Sequence, residues 1–400
     1  MSKQLSLVWL LLAPVCLQGQ SAILLKHANV IDGLSDQPIR DATVLIENGQ
    51  IRSLGPGLEK PPSEAITIDL AGRWLLPGLI DAHVHLNQDD PLKLSRALVN
   101  AGVTTIRTMG ASRHFADVDI RELHRRGAKD LPEVVAAGYQ VRPDIAVAAD
   151  TFLLDFPELT SITRPKVSGP DNVRRLVQAN VQHGVNLIKV LATERAGTPE
   201  TDPRRQTFTE QEMIAIVDEA RKSGLPVAAH AHGDEGAAAA VRAGARSIEH
   251  GSFMTDSTLD LMKERGTYLV PTLAINLIKR PPAQAARYAE LTAAVHTTVS
   301  HAWRKRIPLV AGTDSNGSIP VSDELAELVK IGISPMEAIK SATSRSAECL
   351  GVSARTGSIR RGYEADLLVV DANPLIDVSA LKKVVLVVND GQIAINKLGN

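Results

Sequence analysis

The chain contains a series of short apolar runs that each carry or end in a polar residue. Along the sequence, these runs cover residues 74–85, 186–190, 226–233, 247–251 and 308–315. In a parallel barrel all strands point the same way, so their carboxyl ends meet at one rim, where catalytic groups collect. We therefore expect the polar residues of these runs to converge at such a rim. The pattern predicts an α/β fold, a (β/α)8 barrel of the TIM type.

Apolar runs alternate with helix-type segments through the central region, which is typical of repeated βαβ units. Strands are predicted at residues 75–81, 104–108, 134–139, 186–190, 227–230, 247–249, 268–271 and 309–312. Helices are predicted at residues 170–183 and 209–223, and the second begins with the capping box Thr209-Glu210-Gln211-Glu212. Residues 142–168 form a long segment without regular pattern, which we expect to shape a substrate pocket.

Strand-type sequence also flanks the central region on both sides. It covers residues 23–33 and 42–51, where Asn48-Gly49 indicates a hairpin turn, and residues 366–371 and 384–391, where Asp390-Gly391 indicates another. Neither flank has enough apolar residues to fold alone. We expect residues 22–75 and 356–400 to pair into one small β domain and residues 76–355 to form the barrel.

The first 21 residues have the composition of a secretory signal peptide. Lys3 precedes an uncharged apolar stretch of about twelve residues, which is too short to span a bilayer. We expect export to the periplasm or out of the cell, with no stable membrane insertion after the signal is removed. An apolar strand or an anchor is the alternative. Cys16 would leave with the signal, so Cys349 is expected to pack without a disulfide partner as a small buried side chain.

Charge and composition exclude one class of function. The 400 residues have a formal net charge of −1, no long basic run and 3% aromatic residues. Nucleic-acid binding needs a positive surface or stacking aromatic side chains, so no nucleic-acid partner is expected. The length is sufficient for one barrel and a smaller appendage.

His83 and His85 lie one residue apart just after the first predicted strand. Residues i and i+2 of a strand point to the same side, so both imidazoles leave one face. Imidazole nitrogen is a common ligand of zinc-like ions, and two such rings form half of a metal site. A pair on a surface strand is the alternative, but the later runs with histidine and aspartate favour the metal site.

Five motifs resemble those of the amidohydrolase superfamily, and most closely its imidazolonepropionase-like branch, which contains prolidase-type dipeptidases and ochratoxinase-type amidases. The motifs are Pro77-Gly78-Leu79-Ile80-Asp81-Ala82-His83-Val84-His85, Ile188-Lys189-Val190, Ala229-His230-Ala231-His232-Gly233, Ser247-Ile248-Glu249-His250-Gly251 and Gly312-Thr313-Asp314. The resemblance extends from residue 23 to residue 395. It implies a barrel joined to a small β-sandwich domain that the two flanks build.

The resemblance also implies two divalent metal ions, with zinc expected. The ligands that it implies are His83, His85 and Asp314 for one ion and His230 and His250 for the other. Lys189 would bridge both ions after its amine reacts with carbon dioxide to give a carbamate. Burial lowers the pKa of a lysine and leaves free amine for this reaction. A structural salt bridge is the alternative role of Lys189.

The expected reaction is hydrolysis of a linear amide bond, in dipeptides or N-acyl L-amino acids with a hydrophobic C-terminal residue. A hydroxide between the two ions would attack the carbonyl carbon, and Asp314 would pass the water's proton to the leaving nitrogen. A ring-opening hydrolase of cyclic amides or a deaminase is the alternative, although mononuclear members of that kind lack the lysine. A non-catalytic metal-binding scaffold is the second alternative, but such scaffolds lose ligands and here every ligand position is filled.

The free carboxylate of such a substrate requires a cationic or hydroxyl-bearing partner. The candidates, which follow predicted strands or end them, are Arg107, Tyr139, Arg142 and Arg195. His232 is expected to lie over the substrate or to bind a loop carbonyl. Two loops depart from the family, because a Gly-Gly-His element after the third strand is absent and Glu194-Arg195 replaces a Gly-Gly pair after the fourth. The expected partner is a small-molecule amide, and a homo-oligomer is left open.

Overall fold

The computed structural model describes residues 22–56, 62–86, 90–110, 113–148, 151–198 and 200–399. The predicted signal peptide, residues 1–21, lies outside the described residues, as does Cys16. Cys349 is 2% exposed, which confirms that its side chain is buried.

Strands and helices alternate through the centre of the chain, and strands dominate its two flanks. The strands are β1 (Ile23–Val30), β2 (Ile39–Glu47), β3 (Gln50–Gly55), β4 (Ile66–Asp69), β5 (Trp74–Pro77), β6 (Leu79–Val84), β7 (Val103–Thr108), β8 (Glu133–Val135), β9 (Ile188–Leu191), β10 (Val227–Gly233), β11 (Ser247–Phe253), β12 (Tyr268–Val270), β13 (Leu367–Val370), β14 (Val384–Asn389) and β15 (Gln392–Asn396). The helices are α1 (Pro91–Asn100), α2 (Ala116–Arg125), α3 (Ile145–Ala148), α4 (Phe152–Asp155), α5 (Thr160–Thr163), α6 (Pro170–Gln182), α7 (Glu210–Lys222), α8 (Asp234–Ala243), α9 (Asp256–Arg265), α10 (Pro282–Arg304), α11 (Val321–Lys330), α12 (Pro335–Ser341) and α13 (Ser344–Leu350).

The central strands form two parallel sheets, which confirms the predicted α/β class. One sheet contains β6, β7 and β8, and the other contains β9, β10, β11 and β12. Isolated parallel bridges extend both sheets at their edges. The bridged residues are Val141 with Val190, Leu269 with Leu309, and Val84 with Ser315.

The first predicted strand, residues 75–81, is two strands that belong to different sheets. The chain changes sheets at Gly78, because β5 pairs with β1 and β13 whereas β6 pairs with β7. A Cβ atom at Gly78 would overlap the side chain of Thr104. The close approach of this junction to β7 therefore requires glycine.

The eighth predicted strand, residues 309–312, is not a regular strand in the described structure. The segment runs between β12 and β6, where the Val310 amide donates to Leu269 O at 2.9 Å and the Ala82 amide donates to Ala311 O at 3.0 Å. Gly312 lies against His83, and a Cβ atom there would be 2.7 Å from His83 Cβ. The segment passes too close to β6 for a regular ladder with side chains at every position.

The segment 142–168 also differs from the prediction, because it contains the short helices α3, α4 and α5. The predicted helices are confirmed as α6 and α7. The capping box is present: Thr209 Oγ1 accepts from the Glu212 amide at 3.2 Å, and Glu212 Oε2 accepts from the Thr209 amide at 2.7 Å. Among the described helices, none combines the length and the hydropathy that a bilayer-spanning segment needs.

The two flanks share one mixed sheet. Its strand order is β15-β14-β13-β5-β1-β2-β3, and β4 lies beside β1. The predicted hairpin turns join β2 to β3 and β14 to β15, and Asn48 and Gly49 both have the positive φ that such turns need, 52° and 78°. Buried side chains from both ends of the chain, such as Leu25, Val44 and Leu367, meet in one apolar cluster.

Candidate active site

The carboxyl ends of β6, β9, β10 and β11 open into a cavity of about 330 Å³. Lys189 reaches it from β9, His230 and His232 from β10, and His250 from β11. All the ligands implied by the sequence line this cavity: His83, His85, Lys189, His230, His250 and Asp314. Residues far apart in the chain thus meet where the parallel strands end, as expected for this kind of fold.

Asp314 lies against the two histidines of the first motif. Its Oδ1 is 3.0 Å from His85 Nε2 and 3.3 Å from His83 Nε2. Burial alone would raise the pKa of Asp314, but the adjacent His83 and His85 rings hold it well below its ordinary value. The aspartate has a φ of 51°, an uncommon backbone conformation for a residue with a side chain.

The buried Asp81 carboxyl holds the two segments that carry these ligands together. Its Oδ1 accepts from the His83 amide at 3.1 Å and from the Thr313 amide at 3.0 Å. Its Oδ2 accepts from the Thr313 hydroxyl at 2.7 Å. Because Thr313 precedes Asp314, these bonds fix Asp314 relative to His83.

The other histidines form a compact group. The ring centroids of His230 and His250 are 4.6 Å apart, and the rings of His232 and His250 stack at 4.8 Å. Burial lowers the pKa values of all three, that of His232 to about 4, so the rings are neutral near pH 7. Neutral imidazole is the form that binds metal ions. Thr272 Oγ1 is 2.7 Å from His250 Nδ1 and leaves Nε2 of that ring for a ligand.

Lys189 is buried among these groups without a partner. It is 1% exposed, and within the described part of the chain its Nζ makes no hydrogen bond. Burial lowers its pKa to about 8, although the negative charges of Glu249 and Asp314 act in the opposite direction. The side chain therefore holds more free amine at neutral pH than an ordinary lysine.

The donor set fits divalent metal ions. One donor atom each from His83, His250 and Asp314 lies within 4.8 Å of the other two, and the same is true of His230, His232 and His250. Neutral imidazoles with a carboxylate are typical ligands of zinc-like ions. The amine of Lys189, which has no hydrogen-bond partner among the described residues, lines the same cavity.

Tyr139 was expected to contact substrate, and this prediction is wrong. It is 1% exposed and is not among the residues that line the cavity. Its hydroxyl donates to Asp155 Oδ2 at 2.7 Å and lies 2.6 Å from Thr151 Oγ1, and its ring packs against Phe115 and Phe152. Tyr139 ends the predicted strand, but β8 ends at Val135, and the Tyr139 side chain packs against α4.

Two of the arginines predicted to bind a substrate carboxylate instead form ion pairs with acidic side chains of this protein. Arg142 makes a two-pronged ion pair with Asp144, at 2.6 and 2.8 Å, and is absent from the cavity lining. Arg107 is 2% exposed and lies beneath the cavity, bonded to Glu249. The expectation that residues 142–168 shape the pocket fails as well, because none of the described residues of that segment lines the cavity.

Arg195 and His232 do line the cavity. Arg195 is half-buried, and its side-chain nitrogens make no hydrogen bond within the described residues. His232 is bonded through Nδ1 to Ser252 Oγ at 2.9 Å and not to a loop carbonyl. Its position in the histidine group makes it a candidate ligand, a role that the sequence did not indicate.

The mouth of the cavity contains residues that sequence reasoning missed. Arg280 precedes α10 and stacks on Tyr288, with its guanidinium carbon 4.0 Å from the ring centre. Both side chains line the cavity, together with Leu291 and Val295 of α10. No motif in the sequence indicated that a helix so late in the chain would cover this opening.

Comparisons with known proteins agree with this site. The sequence profile of the Amidohydrolase family matches residues 74–394. Ochratoxinase of Aspergillus niger is 26% identical over 408 residues, which cover 91% of this chain and 84% of that protein. Imidazolonepropionase of Shewanella baltica is 24% identical over 371 residues, which cover 83% and 87% of the two chains.

A solved structure of a Xaa-Pro dipeptidase with methionine bound in its active site superimposes with a TM-score of 0.83. It is 28% identical and covers 93% of this chain and 99% of that one. The family profile and this superposition both extend over most of the chain. The protein belongs to the amidohydrolase family, in the branch that its motifs predicted, and is a hydrolase of amide bonds.

Proposed function

We propose that the protein is a dinuclear metal-dependent hydrolase of linear amide bonds in dipeptides or N-acyl L-amino acids with a hydrophobic C-terminal residue. The observation that carries this proposal is Lys189, whose buried amine has no hydrogen-bond partner among the described residues and lies in a cavity lined by neutral imidazoles. An unpaired buried amine is costly, and a function that consumes it explains why it is kept.

The proposed ligands are those of the two histidine groups. His83, His85 and Asp314 would hold one ion and His230 and His250 the other, with Lys189 as a ligand of both once its amine has reacted with carbon dioxide to give a carbamate. Zinc is the preferred candidate because imidazole and carboxylate suit it. When bound, such ions supply Lewis acidity, which lowers the pKa of water and polarises a carbonyl group.

Asp314 is the proposed carrier of the proton. Its low pKa keeps it ionised, so it can accept a proton from the attacking water. The bonds of Asp81 to Thr313 and to the His83 amide hold it in place. From this position Asp314 passes the proton to the leaving nitrogen, which departs as a neutral amine.

The cavity lining supports the proposed substrate class. Arg195 lines the cavity with guanidinium nitrogens that make no hydrogen bond within the described structure, so it can bind a free carboxylate. Leu191, Ile275, Leu291 and Val295 give the same cavity an apolar wall. A substrate with a carboxylate and a hydrophobic side chain on its leaving group satisfies both.

The proposed architecture places this site at one end of a closed barrel. The bridges of Val141, Leu309 and Ser315 to neighbouring strands support closure of the two parallel sheets into one (β/α)8 barrel over residues 76–355. Residues 22–75 and 356–400 are proposed to form the small β-sandwich domain. Export through residues 1–21 stays a prediction.

The proposal is tested by metal analysis combined with a substrate screen. Purified protein should contain about two divalent ions per chain. It should hydrolyse dipeptides and N-acyl amino acids with hydrophobic C-terminal residues and leave hydantoins and lactones unchanged. A single ion per chain, or turnover confined to the cyclic compounds, would contradict the proposal.

A further inference from the structure

We propose that Arg107 and Glu249 form a positioning pair beneath the metal site, in which Arg107 holds Glu249 so that it binds His83 instead of Lys189. This inference rests on the proposed role of His83 as a metal ligand. Neither residue lines the cavity, so the pair acts through the side chains above it.

Glu249 is fully buried, and both of its oxygens are occupied. Oε1 accepts from Arg107 Nη2 at 2.9 Å and from Ser247 Oγ at 2.5 Å. Oε2 lies 2.8 Å from His83 Nδ1 and accepts from Arg107 Nη2 at 3.1 Å. The guanidinium of Arg107 donates to both oxygens, which is the arrangement that favours a carboxylate.

The guanidinium of Arg107 is fixed by strands on either side. Arg107 lies on β7, its Nε donates to Ala82 O of β6 at 2.7 Å, and its Nη1 donates to Ser247 Oγ of β11 at 3.0 Å. Several donors on one rigid plane define the position of Glu249 more closely than a single ammonium group could.

The first consequence concerns His83. A carboxylate can only accept hydrogen bonds, so His83 Nδ1 carries the proton and donates it to Glu249. The other ring nitrogen, Nε2, lies on the cavity side, 3.3 Å from Asp314 Oδ1, and is the atom that can bind a metal ion. A histidine whose second nitrogen binds a carboxylate is a better oriented and more basic metal ligand.

The second consequence concerns Lys189. Lys189 lies on β9, two strands from Glu249 on β11, and its buried amine makes no hydrogen bond within the described structure. With both Glu249 oxygens already used, no acceptor remains for an ammonium group. Removal of Arg107 would take one hydrogen bond from each Glu249 oxygen and allow Glu249 to pair with Lys189, which would remove the free amine needed for the carbamate.

The two consequences are separated by comparing Arg107→Met with Glu249→Gln. Zinc affinity is measured by competition with a chelator, and the carbamate by the ¹³C NMR signal obtained with ¹³C-bicarbonate at saturating zinc. Both variants should bind zinc about 10- to 100-fold more weakly. Arg107→Met should also lose the carbamate signal, whereas Glu249→Gln should keep it because glutamine has no charge to pair with Lys189.

Matched controls are available in two other buried residues. Glu324 is fully buried, and among the described residues its carboxyl accepts only from the Leu273 and Ala274 amides, at 3.0 and 2.7 Å. Arg121 is 6% exposed and donates to Gly184 O and to Asn186 Oδ1, both at 2.7 Å. Glu324→Gln and Arg121→Met should keep the zinc affinity and the carbamate signal of the unaltered protein.

The outcomes distinguish this inference from the proposed function. If the unaltered protein binds two ions and both test variants keep its zinc affinity, the positioning pair is overturned while the dinuclear hydrolase stands. If the unaltered protein binds no zinc, the proposed function fails first. Should Arg107→Met not fold, Arg107→Lys keeps the charge without the planar fork. Unaltered zinc affinity in Arg107→Lys and Glu249→Gln would then overturn the pair.

Discussion

Two clusters of ionisable side chains in this protein have similar spacing but differ in how their members are paired. The cavity cluster consists of His83, His85, Lys189, His230, His250 and Asp314. The flank cluster consists of Lys129, Glu133, Arg355, Glu364, Asp366 and Asp390. One oxygen each from Glu364, Asp366 and Asp390 lies within 4.8 Å of the others, the same spacing as in the histidine groups.

In the flank cluster, two cations and a hydroxyl group supply donors to the four carboxyl groups. Arg355 bonds Glu364 at 2.6 Å and also contacts Glu133. Asp390 contacts Lys129, and Asp366 accepts from Thr356 Oγ1 at 2.6 Å. Each of these carboxylates already has a donor, so a cation would have to displace one.

The cavity cluster is less completely paired, although Asp314 contacts the rings of His83 and His85. Lys189 has no hydrogen-bond partner among the described residues, and the buried imidazoles are neutral. Spacing alone therefore does not identify a metal site. The distinguishing property is that donors are buried with their bonding capacity unused, which costs folding energy unless a ligand is present.

The largest expected effect is on kcat, which Lys189→Ala should lower far more than a lysine substitution in the flank cluster. Loss of the bridging ligand should lower kcat by about 10³-fold or more, with partial rescue by short carboxylic acids such as acetate. The urea midpoint should not fall, because the variant removes a buried amine that has no partner. Lys129→Ala, in the flank cluster, should keep kcat. Retention of activity by Lys189→Ala would remove the bridge from the mechanism.

Asp314→Asn and Asp366→Asn compare one buried acid from each cluster. The first should lower the metal content from about two ions per chain towards one, because it weakens the site that contains His83 and His85. The second should leave the metal content unchanged. Elemental analysis of both proteins decides the matter, and loss of metal from Asp366→Asn would mean that the flank cluster binds an ion after all.

Arg355→Met should affect stability and not catalysis. It leaves Glu133 and Glu364 without their cation, but the Arg355 side chain is 39% exposed, so water compensates part of the loss. The free energy of unfolding in urea should fall by about 1–2 kcal/mol. The value of kcat should stay that of the unaltered enzyme, and a fall in kcat larger than the loss of folded protein would connect the two clusters.

Asp366→Asn should produce the smallest effect, which is a change in how the free energy of unfolding depends on pH. Burial and the charge of Asp390 raise the pKa of Asp366 to about 7, above the ordinary value of 3.8. The folded protein therefore keeps a proton that the unfolded chain loses, and stability falls as the pH rises from about 4 through 7. Asp366→Asn should reduce this fall by on the order of 1 kcal/mol. Urea titrations across that range test it, with the exposed Asp371→Asn as control.

Much of the cavity cluster could be predicted from the sequence because strand geometry is simple. Successive side chains of a strand point to opposite faces, so His83 and His85 share one face, as do His230 and His232, independently of the rest of the fold. The direction of parallel strands then brings their ends together. Which of these residues bind each ion was implied by the resemblance to the amidohydrolase superfamily.

The surroundings of the site depend on contacts that no local pattern encodes. Tyr139 ends its run much as a cavity residue would, yet the chain beyond β8 turns it into an aromatic cluster. Arg107 lies within β7, and only the register of β7 against β6 and its position opposite β11 place it under Glu249. Tyr288 lines the cavity because of the way α10 packs against the strands. The spacing of apolar residues along α10 does not determine that packing.

Cys349 provides an internal reporter for the floor of the active site. Its sulfur lies 3.8 Å from Arg107 Nη1, and burial raises its pKa to about 11. A thiol-specific reagent can react with Cys349 only when the packing around Cys349 and Arg107 opens to solvent. The rate of alkylation at Cys349 therefore measures how often the layer that supports His83 comes apart, without any label being introduced.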